Sequence, residues 1–208
     1  MPVDFTDQTL LLERLRASDE QAYAFLVKSY HGKLLGTAKL MVGERFAEEV
    51  VQETWLSLLK SLANFEGRSS LKTWLFAILA NNAKDRLRRE SRAKTESLAI
   101  EDDSGDSLMI ESRFDSRGHW TDGPMLWHND NPEALLSSDQ LRECLEKIVG
   151  LLPTSQRMVI SLRDGEGVAL EEICNILMLS ETNVRVLLHR ARTRLWVMIE
   201  NYQRGKGC

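Results

Sequence analysis

Trp74, Asn81, Asp85 and Arg88 stand at spacings of seven, four and three, so they fall on one stripe of any helix drawn through Leu71–Arg89. An indole, an amide, a carboxylate and a guanidinium in line are an uncommon set for a merely solvated face. A basic end overlaps and extends this stripe: Lys84, Arg86, Arg88, Arg89, Arg92 and Lys94. Rings on which bases stack, beside cations that meet phosphates, are the chemistry of single-stranded nucleic acid. The plainer alternative is an amphipathic helix with Trp74 half buried and the arginine stems laid along apolar surface.

A second set lies near the other end of the chain. Leu170–Leu177 has the pattern of a short helix, Met178-Leu179-Ser180 that of a turn, and Glu181 to about Ile199 that of a longer helix capped by Ser180. This is the layout of a helix-turn-helix. Val184, Leu187, Leu188, Ala191 and Leu195 make an inner face, which leaves Thr182, Asn183, Arg185, Val186, His189 and Arg190 pointing outward. Asn can read adenine and Arg can read guanine, each worth about 1–3 kcal/mol of discrimination. Arg192 and Arg194 lie further along, to hold phosphates or simply to be solvated. Two-helix corners also occur in helical proteins that bind no DNA.

The elements that must carry these sets are all helical in pattern. Gln8–Lys39 repeats apolar residues at helix spacing, and Ser18 stands three before Gln21 in a capping-box arrangement. Gly43 marks a break. Glu44–Leu62 comes next with an acidic start, and Asn64–Ser70 is a turn in which Ser69 or Ser70 can cap the next helix. In that helix Leu71, Leu75, Ile78 and Leu79 form the apolar arc. Pro132–Val149 is predicted as a helix, Pro153 opens another at its first turn with Met158, Val159 and Leu162 apolar, and Asp164–Gly167 is a turn. No repeat and no convincing strand alternation is present, so the fold class is all-α.

The chain has 208 residues, of which 43% are hydrophobic and 28% charged, with a formal net charge of −4. That mean hides a segregation. Arg68–Lys94 has eight cations against two acids, a net +6, whereas Glu96–Asp139 has two cations against eleven acids, a net −9. The acidic stretch, with Gly118, Gly123 and Pro124, reads as a linker, too long for an ordinary connection inside a domain. Within it Phe114, Trp120 and Met125-Leu126-Trp127, beside His119 and His128, form apolar knots that suggest a docking element. The boundaries expected are a helical domain over 1–94, the linker over 95–131 and a second helical domain over 132–208.

Cys144, Cys174 and Cys208 are widely spaced and odd in number, which suggests neither a disulfide frame nor a zinc knuckle. No apolar run approaches a membrane span, and MPVDFTDQTL lacks the parts of a secretion signal, so a cytoplasmic protein is expected.

Both sets, in this order and separation, resemble a sigma factor of bacterial RNA polymerase, of the extracytoplasmic-function (ECF) group of the sigma-70 family. The stretches that carry the resemblance are Ala47–Arg89 and Leu151–Leu195. The resemblance implies a region 2-like domain that melts promoters and a region 4-like domain that reads the minus-thirty-five element. It implies that Val51, Gln52, Glu53 and Trp55 dock on the clamp coiled coil of core RNA polymerase. Phe65–Thr73, including Phe65, Arg68, Ser69 and Lys72, is similar to the loop and helix start that receive a base flipped from the non-template strand near minus ten. Trp74, Asn81, Asp85, Arg86, Arg88 and Arg89 are similar to the helix facing the opening duplex. Ser180, Thr182, Asn183, Arg185, Val186, His189 and Arg190 match the helix laid in the major groove. The acidic linker resembles the segment threaded through the polymerase channels.

The implied partners are core RNA polymerase, held at its clamp coiled coil and upstream flap, promoter DNA, and an anti-sigma protein, in this group often membrane-bound. Leu58, Leu59 and Leu62 either line a groove for that partner or belong to the core. No catalytic residue, cofactor, metal or small-molecule substrate is expected, because captured bases offset the cost of unstacking. The chain departs from the family pattern at Glu49, at Val186 and at Met178, where the family favours Gly. If that position needs positive φ, Met is strained there.

Three rivals remain on the residues alone. A helix-turn-helix regulator that recruits no polymerase leaves the basic aromatic helix unexplained. A metal or thiol enzyme would need Cys144, Cys174, His119 and His128, whose spacing matches no compact ligand motif. A purely structural bundle does not account for the charge segregation.

Overall fold

The computed structural model describes residues 7–94, 145 and 147–203. The chain divides into two compact units, Met1–Leu98 and Ala99–Cys208, and every regular element among the described residues is helical. The expected linker 95–131 with its Phe114–His128 knots, most of the expected Pro132–Val149 helix, Cys144, Cys208, and the side chains of Arg92 and Lys94 lie outside the described residues.

The first unit contains α1 (Gln8–Arg16), α2 (Glu20–Val42), α3 (Glu44–Ser61), a 3-10 turn (Leu62–Asn64) and α4 (Leu71–Lys94). The Ser18–Gln21 capping box is not formed. Ser18 takes a left-handed φ of 60°, and Asp19 is the cap, its carboxylate accepting the Gln21 N–H at 2.8 Å. The reason is that two helices meet here. Ser18 N–H donates to the Leu15 carbonyl at 3.1 Å and Asp19 N–H to the Arg14 carbonyl at 3.0 Å, the paired bonds of a Schellman end. The Asp19 side chain is thereby free to cap α2. At Gly43 the chain turns with φ 82°, as its lack of Cβ permits, and α3 begins at once.

Leu26, Leu34, Leu58, Leu75, Phe76 and Leu79 are fully buried between these helices. Each such side chain contributes about 1.5–3 kcal/mol. The arc foreseen in α4 is the buried one, with Ile78 at its half-buried margin and Phe76, Ala80 and Ala83 added to it. Leu58 and Leu62 are core, so they line no open groove. Leu59, one step round α3, is 53% exposed, beside Leu56 at 55%.

In the second unit residues 147–151 are helical, and α5 (Thr154–Ile160), a π-type turn (Ser161–Gly165), α6 (Leu170–Leu177) and α7 (Glu181–Gln203) come after them. Pro153 precedes α5 as its N-cap with φ −52°, not as its first residue, so its fixed φ and missing N–H sit one step earlier. Met158, Val159, Leu162, Ile173, Val184 and Trp196 are buried. Glu172 accepts the Ala169 N–H at 3.2 Å, which takes up a donor at the start of α6 where the alanine side chain cannot cap it.

Candidate nucleic-acid interface

The segment between the 3-10 turn and α4 is built around an aromatic pair. Phe65 is buried, and its ring meets that of Trp74 with centroids 4.4 Å apart and a tilt of 30°. Such an offset pair is worth about 0.5–1.5 kcal/mol beyond the area it buries. Gly67 takes φ +72° in the loop. Of the two candidate caps, Ser70 is the one used: its Oγ accepts the Thr73 N–H at 3.0 Å, and its carbonyl accepts the Trp74 N–H at 2.9 Å. Trp74 thus sits one turn into a firmly capped helix, half buried, with Arg68 and Ser69 in the loop that precedes it. Arg68 pairs with Glu66 at 2.5 Å while 84% exposed, so exchanging that partner for a phosphate costs little. Lys72 lies with its ammonium 5.8 Å from the Phe76 ring centroid.

Further along α4, Asn81, Asp85 and Arg88 are exposed, as the stripe requires. Arg88 and Asp85 pair at 3.6 Å, and Arg89 reaches Glu53 of α3 at 3.3 Å. Lys84 is half-buried, and burial first, then the Arg88 charge, pull its ammonium below the usual lysine range against the opposing pull of Asp85. Arg86 is engaged inside the unit. Its guanidinium carbon lies 3.7 Å from the centroid of the Phe46 ring and its Nε 3.5 Å from Glu49. To reach a phosphate it would have to abandon a partly desolvated cation–π contact. Phe46, Glu49 and Asn82, which donates to Thr54 Oγ1 at 3.2 Å, are parts of the site that sequence reasoning missed. A signal was present: Glu49 and Glu53 are spaced to face Arg86 and Arg89 across two packed helices.

Of the residues foreseen on the neighbouring face of α3, Val51 is buried and belongs to the core. Gln52 is exposed, while Glu53 and Trp55 are half-buried. The Trp55 Nε1–H donates to His31 Nδ1 of α2 at 3.4 Å, which orients the indole.

In the second unit the helix-turn-helix closes through Met178, at φ 57° and ψ 44°. The left-handed conformation foreseen as a condition is therefore real, and costs a non-glycine residue about 1–2 kcal/mol. The return is closure of α6: Leu179 N–H donates to the Cys174 carbonyl at 3.1 Å. Ser180 Oγ accepts the Asn183 N–H at 3.3 Å, at the start of α7. Thr182 and Val186 are exposed, whereas Asn183, Arg185, His189 and Arg190 are half-buried. Glu181 accepts from Arg185 Nε at 3.0 Å and from its terminal nitrogen at 2.5 Å, which fixes the guanidinium along the first turns.

Arg192 is not a phosphate ligand in waiting. It is buried, and its Nε and terminal nitrogen donate to the two Asp164 oxygens at 2.9 and 2.6 Å. The π-type turn carries Asp164 to face it. Arg194 donates to Gln156 at 3.3 Å. Burial, then the Glu181 carboxylate, push the Cys174 thiol above the usual range, the reverse of what a nucleophilic thiol needs. Among the described residues no three His, Cys, Asp or Glu side chains gather to hold a metal ion, and no helix is long and apolar enough to cross a membrane.

Residues 26–93 match the family Sigma-70 region 2, and residues 142–195 match Sigma-70, region 4. The chain is 32% identical over 192 residues to the ECF RNA polymerase sigma-E factor of Escherichia coli strain K12, covering 92% of this chain and 93% of that one. Two solved structures share the fold. One is the sigma factor RpoE in complex with the anti-sigma factor NepR from Bartonella quintana, with a TM-score of 0.60 and 23% identity, covering 86% of this chain and 96% of that one. The other is CnrH in complex with the cytosolic domain of CnrY, with a TM-score of 0.55 and 21% identity, covering 93% and 97%. The chain belongs to the extracytoplasmic-function group of the sigma-70 family of RNA polymerase sigma factors.

Proposed function

We propose that this sigma factor, which directs core RNA polymerase to promoters, divides its work between its two units. The domains run 1–94 and 132–208, with 95–131 as the tether. In the first, Gln52, Glu53 and Trp55 of α3 meet the clamp coiled coil, and Val51 fixes that face from beneath. The loop of Arg68 and Ser69 receives an extruded non-template base near minus ten. The strand then runs past Trp74, Asn81, Asp85, Arg88 and Arg89 along α4. In the second, the first turns of α7 enter the major groove at minus thirty-five, where Thr182, Asn183 and Arg185 meet base edges and Arg190 a phosphate.

The single observation that carries this reading is the Phe65–Trp74 pair standing at the capped start of a helix whose far end is basic. The half-buried Trp74 ring, backed by the buried Phe65, offers stacking worth about 1–3 kcal/mol per base, comparable with the cost of unstacking one. Opening then needs no hydrolysis, and the protein catalyses no reaction of its own. It acts in the cytoplasm and is held inactive by an anti-sigma protein, a reading supported by the similar fold solved in complex with the anti-sigma factor NepR. The acidic tether, nine acids against two cations over residues 95–131 for a net −7, occupies a basic channel of the polymerase.

A photo-crosslinker placed at Arg68 and another at Val186, each in complex with core polymerase on a promoter, test the assignment. The first should capture the non-template strand near minus ten and the second duplex DNA near minus thirty-five. Exchange of the two targets, or capture of neither, would overturn it.

A further inference from the structure

We infer that Arg16 of α1 is a positioning residue for base capture, and that it acts through the main chain of the loop. Its terminal nitrogen donates to the Phe65 carbonyl at 2.5 Å, across a separation of 49 residues. The other hydrogen bonds and ion pairs that hold 65–70 are local: Phe65 N–H to Leu62, Arg68 to Glu66, Ser69 to Ser70, and Ser70 to Thr73 and Trp74. Arg16 therefore ties this segment to a distant element. Among the described residues no backbone N–H takes up that carbonyl.

The end of α1 that holds Arg16 is itself rigid. The Schellman closure through Ser18 and Asp19 fixes its last turn, and Tyr23 Oη donates to the Leu15 carbonyl at 3.0 Å. Leu11 and Leu15 bury the inner side of the helix. Arg16 is exposed, so its bond to Phe65 does not exist merely to satisfy a buried charge. The bonded carbonyl belongs to the residue whose ring stacks on Trp74. Holding it fixes both the tilt of the Phe65 ring and the exit direction of Glu66 and Gly67. A base entering beside Arg68 and Ser69 then meets a preformed wall, and the ordering cost of that wall is met in the free protein.

The inference rests on the proposed role of the loop, and its test separates the two. A promoter obtained by run-off transcription from genomic fragments is opened by core polymerase with the full chain. Opening is monitored with 2-aminopurine, on the natural promoter and on copies with one abasic site at each minus-ten position of the non-template strand. With the unaltered chain, one position should carry a large abasic penalty, the captured base. In Arg16→Ala that penalty should shrink roughly tenfold, the weight of a hydrogen bond to a charged donor. Minus-thirty-five binding should stay unchanged, and Arg16→Lys should restore part of the penalty.

This ratio between promoters is independent of how much protein is folded, so a merely structural role would not move it. An unchanged penalty in Arg16→Ala would overturn the role of Arg16 and leave the loop's role standing. No penalty at any position with the unaltered chain would overturn both.

Discussion

Asp164 and Arg192 form an ion pair whose two ends differ in burial, so the two halves should not cost the same to remove. The Arg192 side chain is 8% exposed and that of Asp164 38%. Asp164→Asn leaves a guanidinium in a nearly dry site with one neutral acceptor in place of a bidentate carboxylate. A broken buried pair costs about 3–5 kcal/mol; water reaching position 164 and the remaining amide bond reduce this to about 2–3 kcal/mol. Arg192→Met leaves a carboxylate that water already reaches, and keeps a buried apolar stem at 192, so it should cost about 1 kcal/mol. Native-state hydrogen exchange on the amides of 154–203 in the full chain reads both values. The melting temperature of the unit should fall on the order of 10 °C in Asp164→Asn and less than half as far in Arg192→Met. Equal costs, or a larger one for Arg192→Met, would show that the pair does not anchor α7.

Other substitutions probe the two surfaces. Met178→Gly relieves about 1–2 kcal/mol of left-handed strain against about 0.5–1 kcal/mol of added chain entropy, so the denaturant midpoint should rise slightly; a fall would contradict the strain. Arg185→Ala should weaken minus-thirty-five binding by about 1–3 kcal/mol and relax the base preference at one step, read by competition with substituted promoters; a loss uniform across sequences would instead mark a phosphate contact. Trp74→Ala should reduce strand opening and weaken binding to a pre-melted fork template alike, by about 1–3 kcal/mol of lost stacking, while leaving binding to minus-thirty-five duplex unchanged; unaltered opening, or an equal loss on that duplex, would contradict a role in melting.

Much of this molecule could be read from its residues, and the reason is local. The helices of α3, α4, α6 and α7 each carry a strong apolar period, and the breaks fall at Gly43 and at the Asn64–Ser70 turn, where turn chemistry is explicit, and at Met178-Leu179-Ser180, where only the capping Ser180 marks it. The stripe of Asn81, Asp85 and Arg88 is exposed because helical spacing alone places it opposite the core. Pairings between distant residues were at most hinted at by charge spacing, as for Glu49 and Glu53 with Arg86 and Arg89, because spacing does not say which helices lie side by side. Arg86 and Arg192 look like phosphate ligands in a linear reading, yet Phe46 and Glu49 take one and Asp164 the other. Ser18 has the right spacing for a cap, but only the meeting of α1 with α2 makes Asp19 the better one. Val51, Leu58 and Leu62 show the same limit: apolar periodicity does not say how wide the buried face of α3 is, since that is set by contact with both α2 and α4.

The central claim is that side-chain contacts of this chain, with no fuel, give core polymerase both an address and an opened strand. It is tested most directly by mixing the purified chain with sigma-free core RNA polymerase and a genomic fragment library, then mapping start sites and permanganate-reactive thymines without nucleoside triphosphates in the opening step. A discrete set of start sites, each with an opened stretch near minus ten, is the predicted result. No initiation above that of the bare core, or opening only when a triphosphate is hydrolysed, would contradict it.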